Sequence, residues 1–107
     1  MTSFNKREEA FERKFVLDEE LRFKAMARRN RLLGEWVAGK LGKSGQDATD
    51  YAKSVILADF EEAGDEDVFR KVSGDLAAAG VSVGELEIRE TMERLLAVAV
   101  EEVQAGN

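Results

Sequence analysis

The chain has no proline, no cysteine and no histidine among its 107 residues. Without proline there is no enforced helix breaker, so helices end where glycine or packing ends them. Without cysteine neither a disulfide framework nor a thiolate metal site is available. Without histidine the commonest metal ligand and the usual neutral-pH proton shuttle are missing, so catalysis is not expected. No apolar run approaches the length of a bilayer crossing, and the opening MTSFNKREEAFERKF is too charged for a secretory signal. A cytoplasmic protein with no direct membrane insertion is the expectation.

What is present favours helix. Ala, Leu, Glu, Lys and Arg dominate, and the length suits one domain with a real core. The net charge of −6 is unevenly spread. Residues 1–31 hold nine Lys and Arg against six Asp and Glu, whereas residues 32–107 hold seven against sixteen. Nucleic acid is therefore not an expected partner for the body of the molecule, while the N-terminal third suits an acidic surface.

The longest helix is predicted from Asp18 to Gly42. Leu21, Ala25, Arg28, Leu32 and Trp36 fall at helical spacing, and Met26, Leu33, Val37 and Leu41 fill the neighbouring stripe. A helix of this length spans roughly 35–40 Å and needs several others laid against it. Gly42 is placed to end it in a left-handed conformation. A second helix is predicted from about Gln46 to Ala63, entered at Ser44, with Ala48, Tyr51, Ala52, Val55, Ile56 and Phe60 inward. Tyr51 is expected to pack its ring with its hydroxyl at the rim. A third runs from about Glu66 to Ala79, capped by Asp65, with Val68, Phe69, Val72, Leu76 and Ala79 inward. Gly80 ends it. Ser82, with Glu85 three residues on, reads as a capping box for a fourth helix, which carries Leu86, Ile88, Met92, Leu95, Leu96, Ala99, Val100 and Val103. Short connections favour antiparallel neighbours, so the fold class is all-α, a four-helix bundle over residues 18–107.

Ahead of the bundle, residues 1–17 form an N-terminal arm. Phe4, Phe11 and Phe15 recur at helical spacing among mixed charges, but the apolar content is thin, and alone in water the arm is expected to be only partly ordered. It either continues the long helix onto the core or folds when its Phe face meets a partner.

Two clusters invite a chemical reading. Lys24, Arg28, Arg29 and Arg31 form a basic group whose spacing suits phosphate or carboxylate; the commoner reading of such a run is a solvated flank paired with neighbours such as Glu20 and Glu35. The acidic stretch from Asp59 to Asp67 lacks the ligand order of a calcium loop and reads better as two helix ends meeting, with no metal assigned. No phosphate-binding glycine loop, nucleophile elbow or metal signature occurs.

The strings REEAFERKF, DEELRFKAMARRNRLLGEW, YAKSVILADFEEAGDEDVFRKV and EIRETMERLLAVAV, in that order and at that spacing, resemble the zeta subunit family of alphaproteobacterial F-type ATP synthases, small inhibitors of ATP hydrolysis. The resemblance implies a four-helix bundle with an N-terminal inhibitory arm. That arm enters a catalytic interface of the ATPase head between alpha and beta subunits, near the gamma shaft, and becomes helical there. Carried onto this chain, the matching arm positions are Thr2, Ser3, Phe4, Lys6, Arg7, Glu8, Ala10, Phe11, Glu12, Lys14 and Phe15. The resemblance also implies a chain monomeric when free, no required cofactor, and a location peripheral to the inner membrane through the synthase. Some members are suspected of binding adenine nucleotide on the bundle; a nucleotide-sensing helical module is thus the alternative function, with Lys24, Arg28, Arg29 and Arg31 as its phosphate contacts.

Overall fold

The computed structural model describes residues 19–59 and 65–106. Among these, four helices account for almost all regular structure: α1, Glu19–Lys40; α2, Gly45–Ala58; α3, Glu66–Ala78; and α4, Glu85–Gln104. The expected arm, residues 1–17, lies outside the described residues, as does Phe60; α2 ends at Ala58, with Asp59 as its C-cap, short of the Ala63 expected from the sequence.

The breaks between helices follow from glycine. Gly42 and Gly80 adopt φ of 77° and 73°, a region costly for any residue with a Cβ. Around Gly42 the Lys43 amide donates to the Ala38 carbonyl and the Gly42 amide to Gly39, which satisfies the last carbonyls of α1. The same pair of bonds recurs around Gly80, from Val81 to Leu76 and from Gly80 to Ala77. Here the residue past the glycine is apolar and packs with Leu76 on the core, which closes the turn hydrophobically as well.

The core joins Leu33 and Val37 of α1, Val55 of α2, Val68, Phe69, Val72 and Leu76 of α3, and Ile88 and Met92 of α4. Every one of these side chains contributes about 1.5–3 kcal/mol by leaving water. Helix α1 is the shared wall, packing against all three others. Ion pairs from Arg28 to Glu102 and from Lys40 to Glu87 show α1 and α4 running antiparallel. Against α2 the approach is closer still: a Cβ added at Gly34 would lie 2.6 Å from the Ala52 Cα, a backbone atom that cannot swing aside. Gly34→Ala is therefore expected to force α1 and α2 apart and to cost about 1–3 kcal/mol despite the better helix propensity of Ala. Urea unfolding measures it, and an unchanged midpoint would show that the two helices do not meet at this point.

Several expectations are corrected by packing. The buried line on α1 runs through Ala25, Arg29, Leu33 and Val37, while Leu32 and Trp36 are only partly buried and Arg28 lies at the margin. Ser82 does not cap α4. Val81 and Val83 both pack on the core, so the chain stays extended through Gly84, which takes the cap position with no side-chain bond. Glu85 pairs instead with Arg89. Leu86 is 71 % exposed, because it lies about 200° around the helix from Ile88. Asp65 occupies the position before α3 but makes no cap bond, and neither does Ser44 before α2.

Candidate functional site: a basic cavity beside a buried arginine

Adjacent residues of α1 meet different fates because successive positions point about 100° apart. Arg29 turns inward and is 1 % exposed. Its Nε donates to Asn30 Oδ1 at 2.7 Å and its terminal NH2 to Asp65 Oδ1 at 2.8 Å. A buried guanidinium left unpaired costs far more than a missing helix cap, which explains why the Asp65 carboxylate serves Arg29 rather than the end of α3. Asn30 is buried beside it, and its Nδ2 has no partner among the described residues.

Lys24, Arg28 and Arg31 point the other way and line one cavity of about 550 Å³ together with Leu21, Phe23, Ala27, Ile56, Val103 and Gly106. The floor comes from three helices: the first half of α1, the end of α2 and the end of α4. The cations sit on α1 at intervals of four and three residues, one strip of its surface. Each meets a carboxylate: Lys24 and Glu20 at 3.3 Å, Arg28 and Glu102 at 3.4 Å, Arg31 and Glu35 at 3.9 Å. Glu20 and Glu35 are the partners expected from the sequence. Glu102 is not, since it lies seventy-four positions from Arg28 and nothing local signals the pairing. The basic group is thus divided, with three members on the cavity and Arg29 inside the protein. The arm residues from Thr2 to Phe15 lie outside the described residues.

The acidic stretch is drawn into ion pairs. Besides Asp65 with Arg29, Glu66 pairs with Arg89 and Asp67 with Arg70. Arg89 also lies over the Phe69 ring, 3.9 Å from its centroid. Tyr51 is half-buried and donates to Asp75 Oδ2 at 2.8 Å, which Lys71 Nζ also reaches at 3.0 Å. Burial, reinforced by that carboxylate, holds the Tyr51 hydroxyl well above the ordinary tyrosine range, so it remains a donor throughout the neutral region. Among the described residues no three His, Cys, Asp or Glu side chains stand together as a metal-holding group, and no helix is long and apolar enough to cross a membrane.

A family model described as ATPase inhibitor subunit zeta matches residues 1–102. The chain belongs to this zeta family. A solved relative, described as a solution NMR structure of the protein, is 52 % identical, covers 81 % of this chain and 99 % of its own, and superposes with a TM-score of 0.72. No curated protein matches. The zeta match covers the arm and every lining residue of the basic cavity except Val103 and Gly106.

Proposed function

We propose that this zeta-family chain inhibits ATP hydrolysis by an F-type ATP synthase by inserting residues 1–17 at an alpha/beta catalytic interface of the head, near gamma. The observation that carries this reading is the extent of the family match, which begins at residue 1 and so takes in the arm.

The mechanism is coupled folding and wedging. Phe4, Phe11 and Phe15 supply an apolar face to the interface, and Arg7 and Lys14 pair with carboxylates there. Ordering the arm opposes binding by roughly 1–2 kcal/mol per residue, so the Phe face must offset that cost. Once lodged, a helix at a closing interface blocks the next rotary step of hydrolysis, whereas rotation in the direction of synthesis opens the interface and expels it. The bundle keeps the arm tethered, in the cytoplasm and at the membrane only through the synthase. ATP hydrolysis by the isolated head tests the proposal: the intact chain inhibits, and a chain lacking residues 1–17 does not. Equal inhibition by the two would overturn it.

A further inference from the structure

Resting on that inhibitory reading, we propose that the lodged arm and α1 form one unbroken helix. The ATPase head then receives the Phe face on the same side of that helix that the rest of the bundle covers further along, and the bundle is held at a single angle beside its partner.

The structure fixes which side this is. Arg29 and Leu33 point into the bundle, 1 % and 0 % exposed. Phe11 and Phe15 precede them by eighteen residues each, about five whole turns, so on a continuous helix each Phe stands in line with a buried residue of α1. Phe4, seven residues before Phe11, falls only about 20° away. Nothing in the chain interrupts such a helix: there is no proline, and the first glycine is Gly34. Opposite charges also stand four residues apart across the junction, Glu9 with Arg13, Lys14 with Asp18, and Asp18 with Arg22. The structure continues that pattern at Glu20 and Lys24, 3.3 Å apart. Asp18, followed by Glu19 and Glu20, suits a helix start in the free chain. That local preference is weaker than the burial of Phe side chains that binding adds, so the helix extends through it when the arm lodges. The consequence is angular. Packed helices such as α2 and α4 lie about 10 Å from the axis of α1, so a turn of 100° would swing them through roughly 15 Å against a partner whose apolar groove stays with the Phe face.

Alanine insertions between Leu17 and Asp18 of the full chain separate angle from reach. One alanine turns the Phe face by about 100° relative to the bundle and adds about 1.5 Å, whereas four turn it by only about 40° and add about 6 Å. Half-inhibitory concentrations on the isolated head are compared for the parent and both variants, with thermal melting as the check on the bundle. Should an insertion lower the melting temperature, the same pair is placed between Phe15 and Val16. The expected result is a rise of about tenfold to a hundredfold for one alanine, the equivalent of losing one Phe anchor, and a return close to the parent value for four. Parent-like values for both overturn the proposal, because they make the junction a flexible tether. Equal losses for both also overturn it, since reach then governs and angle does not. A Gly-Ser-Gly-Ser insertion at the same place adds the same number of residues without helical coupling and is expected to inhibit less well than four alanines; equality of the two removes the continuous helix. The inhibitory reading stands or falls separately, on the maximum inhibition lost when residues 1–17 are removed.

Discussion

Replacing Phe11 and Phe15 together with Ala abolishes inhibition of ATP hydrolysis and leaves the melting temperature of the bundle unchanged. The two effects separate because the residues serve different equilibria. Burying a Phe side chain contributes about 1.5–3 kcal/mol, so the double variant forfeits roughly 3–6 kcal/mol of binding. At 1.4 kcal/mol per tenfold this is a loss of about a hundredfold to ten-thousandfold in affinity. The loss bears fully on inhibition, because the arm's binding energy is the small surplus left after its ordering cost. Folding is spared, since the proposed role places both Phe side chains at the interface with the ATPase head and not in the bundle core. Titration of the isolated ATPase head with each chain, beside a thermal melt, reads both quantities. Full inhibition by the variant at parent concentrations would remove the Phe residues as anchors, and a lowered melting temperature would show that they pack on the bundle.

Asp65→Ala is expected to be the most destabilising single change on the surface of the bundle. Asp65 is 46 % exposed on its side chain, and an exposed carboxylate is ordinarily expendable. This one faces a guanidinium that is 1 % exposed, so its removal strands a charge that water cannot reach from within the bundle. Breaking a buried pair from one side costs about 3–5 kcal/mol; access of water from the Asp65 side brings the expectation to roughly 2–4 kcal/mol. In a domain of this size that lowers Tm by on the order of 10–20 °C. Adding Arg29→Met, which keeps the volume and deletes the charge, should recover most of the loss, though the Asn30 side chain then lacks its remaining bond. Urea unfolding of the two single variants and the double variant closes the cycle. A loss below about 0.5 kcal/mol for Asp65→Ala would mean that Arg29 does not depend on it.

These two residues also mark the boundary between local and distant information. The helices and the ends at Gly42 and Gly80 were legible because the signals are local: apolar residues at helical spacing, and a glycine at each of these two turns whose left-handed backbone only glycine adopts cheaply. Membership of the zeta family was legible for a related reason, since long unbroken strings such as RFKAMARRNRLLGEW carry it irrespective of how they fold. The rotation of α1 about its own axis was not. Its apolar residues fill two adjacent stripes, so the local pattern leaves Arg28 and Arg29 nearly equivalent as the inward residue. Asp65, thirty-six positions away, selects Arg29. The capping box at Ser82 and Glu85 failed in the same way, because burial of Val81 and Val83 outweighs a single capping bond.

The sequence by itself therefore determined the helical class, the turns at Gly42 and Gly80, and the family, all written in contiguous residues. Tertiary structure alone decided which arginine is buried, which carboxylate holds it, and that Lys24, Arg28 and Arg31 share a cavity with Ile56 and Val103. The physical reason is that burial and charge pairing depend on neighbours brought together from distant parts of the chain, and helical periodicity describes only what each helix offers to them.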